Sequence, residues 1–275
     1  MCAHPLTSVV GDSSPRTLGC DAGHRFDVAR QGYVSLLTGR SAGLSSDSGE
    51  MIAARRRALD RPPYVGLRAA VAETVDGGLS GERPLIVDAG CGTGQYLASC
   101  LDARPDALGV GLDLSKYAAR AVAKAHPRGA GIVADLWQPW PLAAGVAGAV
   151  LAVFAPRGFA QARRVLREDG VLVVVTPRRA HLAELVGPMG MLGVEEDKRE
   201  RLDRGLAEAG FGRVSTRTVT LDGRWDAAAI VDAVAMGPSA FHSEPQQLRD
   251  RAEALVGPSG TATVTAAVDI TVAHR

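Results

Sequence analysis

Short apolar runs closed by an acid alternate along most of this chain with stretches whose apolar residues recur at helical spacing. Leu85-Ile86-Val87 ends in Asp88, Leu108 to Leu112 in Asp113, and Gly131 to Ala134 in Asp135. Ala147 to Phe154 and Val171 to Val175 are two more buried-strand runs, the latter bounded by Asp169-Gly170 and Pro177. Between them the spacing predicts helices over 95–101, 115–125 and 158–166. Further helices are expected over 50–59, with Asp47 or Ser48 as cap, and over 67–75, 180–186, 197–209, 227–235 and 245–255. Residues 211–221 and 261–273 read as two late strands, the second alternating small, Thr and Val side chains. Strand and helix taking turns is the signature of an α/β fold with a largely parallel sheet covered on both faces. No internal repeat is present.

The first strand leads into Gly90-Cys91-Gly92-Thr93-Gly94. Glycines there allow a sharp turn and a close approach of backbone to ligand. Strand, glycine loop and helix together form the layout of a nucleotide-type cofactor site. The dinucleotide fingerprint is G-x-G-x-x-G; here the third glycine comes one residue early. That form resembles motif I of the class I S-adenosylmethionine (SAM) methyltransferases, which implies a Rossmann-like seven-stranded sheet. On this reading Asp88, Gly90, Gly92 and Gly94 hold the methionine end of SAM, Asp88 by orienting the loop through its amides. Asp113, 19 residues after Gly94, stands where an acid takes a ribose hydroxyl pair. The resemblance puts Asp135 beside the adenine amino group, with Trp137 as a candidate flank and Trp140, between prolines, as packing.

The first 38 residues have a different character. Cys20 and His24 have the spacing of two ligands of one zinc, and Cys2 supplies a third across a short hairpin. A closed structural site needs four ligands. His4 is awkwardly near Cys2, so the expectation is that the true start lies upstream and brings a cysteine in a C-x-x-C pair with Cys2. Without zinc, a segment so short and so poor in apolar residues has little to hold it folded.

The run Cys20-Asp21-Ala22-Gly23-His24-Arg25-Phe26-Asp27, continuing through Gly32-Tyr33-Val34-Ser35, resembles the N-terminal zinc module of the 23S rRNA guanine-N1-methyltransferases. The similarity extends through Glu50-Met51-Ile52-Ala53-Ala54-Arg55, Val153-Phe154-Ala155-Pro156-Arg157, Thr176 to Leu185 and Ala235-Met236-Gly237-Pro238-Ser239. In wording it is nearest the tylosin-type macrolide-resistance branch of antibiotic-producing actinomycetes. The resemblance implies methyl transfer from SAM to N1 of a guanine in a 23S rRNA hairpin, a ribbon-like module for RNA recognition, and a homodimer. It departs from the family at the absent first cysteine and at Arg61-Pro62-Pro63, where a Gly-His pair is usual. The organisation expected is a zinc-binding RNA-recognition module over 1–38, a linker with helices over 39–75, its Gly/Ser-rich start mobile, and a methyltransferase domain over 76–275.

Composition narrows this little. Hydrophobic residues make up 46% and aromatics 4%, so Ala, Val and Leu must fill the core. No apolar run is long enough to cross a membrane and no signal peptide opens the sequence, which points to a cytoplasmic protein. The four cysteines suggest no disulfide framework, and Cys91 and Cys100 read as small packing residues. The net charge of +1 does not announce nucleic-acid binding. However, residues 1–68 hold nine arginines against six acids, with Arg55, Arg56, Arg57 and Arg61 clustered. Phosphate contacts and a solvated helix face both account for that cluster.

Methylating guanine N1 requires a flipped base, in-line approach and somewhere for the N1 proton to go. The end of the fourth strand presents the acceptor in class I enzymes. Phe154 there can stack on the base or serve as a core aromatic, Pro156 fixes the loop, and Arg157 can meet a phosphate or water. His181 follows the fifth strand as a proton acceptor, an RNA contact or a surface histidine. Two other functions compete: a small-molecule methyltransferase of a biosynthetic cluster, which needs no Cys/His module, and a non-catalytic RNA-binding zinc-module protein, which needs no intact glycine loop.

Overall fold

The computed structural model describes residues 4–9, 16–37, 44–155, 158–194, 197–237 and 244–275. The acid-ended runs become the middle of a mixed sheet: β5 (Leu85–Ala89), β6 (Leu108–Asp113), β7 (Gly129–Val133), β8 (Ala147–Val153) and β9 (Leu166–Pro177), all parallel. Every residue of β8 is buried, as a strand covered on both faces demands. The two late strands, β10 (Gly212–Trp225) and β11 (Ala262–His274), pair antiparallel, with β11 laid against β9.

The sheet has eight strands where the sequence suggested seven, in the order β10-β11-β9-β8-β5-β6-β7-β4. The added edge is β4 (Tyr33–Ser35), contributed by the N-terminal segment and parallel to β7, with Tyr33 opposite Gly131 and Ser35 opposite Val133. The rest of that segment is a small antiparallel sheet of β1 (Thr7–Val9), β2 (Thr17–Gly19) and β3 (Arg25–Asp27). Val28 bridges Val34 antiparallel, so β3 folds back alongside β4.

Helices cover both faces. One face buries α2 (Tyr64–Gly78) and α3 (Gln95–Ala103) through Leu67, Val71, Leu97 and Leu101, against Ile86, Leu151 and Val173. The other packs α5 (Phe159–Val165) and α7 (Lys198–Glu208) through Val165, Leu202 and Leu206, with Trp140. The remaining helices are α1 (Gly49–Leu59), α4 (Lys116–Ala125), α6 (Ala183–Met189), α8 (Ala227–Ala235) and α9 (Pro245–Val256). Ser48 caps α1, accepting from the Met51 amide at 3.2 Å, and Asp47 is left for another partner. Helix α6 starts later than its periodicity suggests, because residues 178–182 form a turn in which the His181 amide donates to the Arg178 carbonyl and Leu182 takes φ +51°. Pro62 and Pro63 are joined by a cis peptide, and the Trp225 indole N–H donates to the Pro62 carbonyl at 2.5 Å. The linker that departs from the family pattern is thereby seated on the end of β10.

Candidate functional site

The carboxyl ends of the parallel strands open on a cleft of about 560 Å3, a size suited to a cofactor. Its floor is the glycine loop, held from beneath by one strand. Gly90 and Cys91 amides donate to the Leu112 carbonyl at 2.8 and 3.2 Å, and the Gly92 amide donates to Asp113 Oδ2 at 3.0 Å. The loop is thus oriented by β6. This corrects the role read for Asp88: among the described residues no amide reaches its carboxyl, because Asp88 lies within β5 and the loop amides face the neighbouring strand. Asp88 lines the cleft as a buried acid, its pKa pushed up to about 7 by burial and then by the charge of Asp113.

Asp113 holds both ends of its carboxylate in place, Oδ1 accepting from the Ser115 amide at 2.9 Å and Oδ2 from Gly92. Burial raises its pKa, with those two amides pulling the other way. Each oxygen keeps a lone pair for a further donor. Asp135 lies two residues beyond the end of β7, fixed by the Trp137 amide donating to Oδ1 at 2.9 Å. Trp137 stands 75% exposed at the rim, whereas Trp140 is buried and its indole donates to the Leu136 carbonyl, a packing residue as expected. Gly94 closes the loop at φ +75° and begins α3. Cys91 and Cys100 are buried thiols whose pKa burial pushes up, so neither is primed as a nucleophile.

The opposite wall is aromatic. Phe154, at φ +52° and 42% exposed, lies 5.3 Å from the His181 ring, and His181 in turn stands 6.1 Å from Tyr64. Tyr64 Oη and His181 Nε2 share a 3.4 Å contact. Positive φ in a bulky residue is strained by about 1–3 kcal/mol, and such strain gathers at functional sites. Phe154 and Leu182, beside His181, both carry it and both line this cleft. Burial lowers the His181 pKa to about 4, against a nearby Glu184 that raises it, so the ring is neutral at pH 7. Its Nδ1 is buried with no hydrogen-bond partner among the described residues. Pro156 and Arg157 fall outside the described residues.

Arg55, Asp47 and the Met236 carbonyl meet at the cleft with no local sequence signal. Arg55 Nη1 pairs with Asp47 at 2.5 Å and Nη2 donates to the Met236 carbonyl at 2.7 Å, tying two loops together over Gly92. An ideal Cβ on Gly92 would meet Arg55 Nη1 at 3.2 Å. Arg57 grips Asp232 with Nε and Nη2, at 2.6 Å for the shortest bond, and Arg61 reaches Asp226 at 3.4 Å. Arg55, Arg57 and Arg61 are thus engaged within the fold, tying α1 and the turn after it to the two ends of α8, while Arg56 of the consecutive three is exposed without such a pair.

In the small N-terminal sheet Cys20 Sγ and His24 Nδ1 are 3.4 Å apart, across a turn in which the Cys20 amide donates to the His24 carbonyl. Zinc bonds of about 2.3 Å to sulfur and 2.0–2.1 Å to nitrogen at a tetrahedral angle place two such ligands about 3.6 Å apart. The pair fits one edge of a zinc site. Cys2 lies outside the described residues, and among those described no group of three or more donors is placed to hold a metal.

Residues 1–40 match the family described as RlmA, N-terminal, a zinc ribbon, and residues 87–174 match a methyltransferase domain. The chain is 45% identical to a 23S rRNA (guanine(748)-N(1))-methyltransferase of Streptomyces fradiae, over 93% of this chain and 89% of that protein. It is 42% identical to a putative 23S rRNA (guanine-N(1)-)-methyltransferase of Micromonospora griseorubida, over 98% and 93%. Among solved structures, the YcgJ protein of Bacillus subtilis shares the fold with a TM-score of 0.52 at 12% identity, over 75% of this chain and 97% of that one. Phosphoethanolamine N-methyltransferase 2 of Haemonchus contortus, in complex with S-adenosyl-L-methionine, does so at 0.53 and 11%, over 83% and 57%.

Proposed function

This chain belongs to the 23S rRNA (guanine-N1)-methyltransferases, and from that premise we propose how its cleft performs the reaction. The protein is an enzyme that transfers a methyl group from SAM to N1 of a guanine in 23S rRNA. The observation that supports the site reading is one continuous cleft running from Asp113 and the glycine loop to Phe154 and His181. Sequence similarity that includes the ribbon favours this over a small-molecule methyltransferase, and the intact loop favours it over a non-catalytic RNA-binding protein.

SAM supplies an activated methyl on a sulfonium. Asp113 takes the ribose hydroxyls, Asp135 the adenine amino group, and the loop from Gly90 to Gly94 the methionine end, above the buried acid Asp88. Phe154 stacks on the flipped guanine, and its exposed, strained placement favours that role over core packing. A base whose pKa lies near 4 takes up a proton poorly. His181 therefore serves as a neutral wall beside the acceptor, its ring held between Phe154 and Tyr64. Cys20 and His24, with Cys2, hold zinc in the ribbon that docks the RNA.

The activity is tested by tritiated-methyl transfer to 23S rRNA transcripts, followed by mapping; the product should be N1-methylguanosine within one hairpin, and label in a small molecule alone would refute the assignment. Asp113→Ala should weaken SAM binding by about 1.5–3 kcal/mol, the range for hydrogen bonds to a charged group, as read by calorimetry. Unchanged affinity would remove Asp113 from the ribose site. Cys20→Ser should lower bound zinc, measured by atomic emission, and should raise the rRNA KM while SAM affinity holds. Zinc content equal to that of the unaltered protein would place the metal elsewhere. Protection from a macrolide antibiotic, a cytoplasmic location and a homodimer complete the proposal; among the described residues no helix is long and apolar enough to cross a membrane. Drug sensitivity of a ribosome-methylating host and light scattering of the purified protein test the first and last.

A further inference from the structure

Helix α4 has ten residues and no acid. Lys116, Arg120 and Lys124 recur every four positions and so share one face, opposite the buried Ala118, Ala119 and Val122. All three are exposed, and none forms an ion pair with a described residue. The neighbouring basic side chains are occupied. At the end of α4, His126 faces Asp102 at 3.3 Å, and Arg128 donates to the carbonyls of Leu101, Arg104 and Ala107. The stripe is also unfavourable in isolation. Like charges four apart repel, and Lys116 sits in the first turn, where the helix dipole disfavours a cation and no acid offsets it. Lys124, in the last turn, is favoured by the same dipole, but no acid among the described residues neutralises the stripe, which leaves it free to meet an anionic partner.

The position of the helix says which one. Its cap, Ser115, donates its amide to Asp113 and its hydroxyl to the Asp47 carbonyl at 2.7 Å, so Lys116 begins at the rim of the cofactor cleft. Near its other end Ala123 packs on Gly32, whose ideal Cβ would lie 3.6 Å away, in the turn that leads into the edge strand β4. The stripe, about 12 Å long at 1.5 Å per residue, thus runs from the cleft to the N-terminal segment. Tyr117, 42% exposed beside it, with Lys116 Nζ 5.2 Å from its ring, offers an aromatic face among the cations.

We infer that Lys116, Arg120 and Lys124 form a phosphate-binding track for the backbone of the substrate RNA, carrying it between the ribbon and the cleft. This rests on the rRNA reading above. Such contacts position the RNA and carry no sequence information of their own.

The test compares the full chain, its Lys116→Ala/Arg120→Ala/Lys124→Ala variant and the charge-preserving Lys116→Arg/Arg120→Lys/Lys124→Arg variant on 23S rRNA transcripts over a range of KCl. The alanine variant should show a salt dependence of binding shallower by about two to three in the log–log slope, one charge per lost phosphate contact. Its rRNA KM should rise about tenfold or more at moderate salt, while kcat and SAM affinity hold and the charge-preserving variant behaves as the parent. A parent that methylates rRNA and an alanine variant with the same slope and KM would overturn the track. So would a charge-preserving variant that fails equally, since the residues would then matter by shape. If the parent itself neither binds nor methylates rRNA, the rRNA reading falls first and the track with it.

Discussion

Asp88 should contribute a loss of stability to the ligand-free protein as the pH rises from about 4 to about 7, on the order of 4 kcal/mol. Asp88 is 2% exposed within β5, and the Asp113 carboxylate adds repulsion, so its folded pKa stands near 7 against an unfolded value of 3.8. Below pH 4 both states hold the proton and Asp88 contributes no difference. Between about 4 and 7 the unfolded chain releases a proton that the folded chain keeps, so stability falls as pH rises. Above 7 both are ionised and the full penalty remains. Asp113, raised by burial as well, acts in the same direction. Asp106 and Asp169, lowered by an amide and a hydroxyl respectively, act in the opposite one. Urea denaturation of the parent and Asp88→Asn at pH 4.5, 6 and 7.5 isolates the group: the difference should vanish at low pH and favour Asn at high pH. SAM brings positive charge to the same cleft, so its binding near pH 6.5 should drive a proton off Asp88, seen as a buffer-dependent enthalpy in calorimetry. Identical pH profiles for the two proteins would assign the titration to another group.

The parts legible in the sequence are those where local pattern and burial coincide. Leu85-Ile86-Val87 needs no tertiary knowledge to read as a buried strand, and the glycine spacing behind it marks the loop. Asp113 and Asp135 follow the same rule, an acid where an apolar run ends. What escaped depends on partners far along the chain. Tyr33-Val34-Ser35 is too short to announce a strand, and it becomes one only because β7, some hundred residues later, leaves an open parallel edge. Arg55 looked like part of a basic surface run. Its inward turn is decided by Asp47 on one side and by a carbonyl 181 residues away on the other. Asp88 was found but misread, because a strand residue and a loop residue two positions later look adjacent in sequence while the loop amides face the neighbouring strand. Residue pattern alone suits Phe154 to core and acceptor roles alike, and its positive φ, which no pattern encodes, favours the acceptor.

Gly94→Ala should destabilise the protein by about 2–5 kcal/mol and weaken SAM binding with it. Two independent penalties combine at this position. The backbone stands at φ +75°, which strains any residue with a Cβ by about 1–2 kcal/mol. The new Cβ would also stand 2.9 Å from Val122 Cα and 2.9 Å from its Cγ2. Val122 is buried in the middle of α4, so the neighbour that must yield is helix backbone, and overpacking of this kind costs about 1–3 kcal/mol. The displacement has a functional route. Moving α4 away from the loop moves Ser115, whose amide fixes Asp113 and whose hydroxyl fixes the Asp47 carbonyl, so the ribose site loosens as the helix shifts. Gly145→Ala provides the control, since Gly145 has φ +68° and nothing within 4 Å of an added Cβ. It should show the backbone strain alone, about 1–2 kcal/mol, with SAM affinity unchanged. Urea unfolding and calorimetry on both variants separate the two penalties. Equal losses at the two positions would mean that Gly94 is required only for its dihedral angle and that the third glycine of the loop does not serve the close approach of α4.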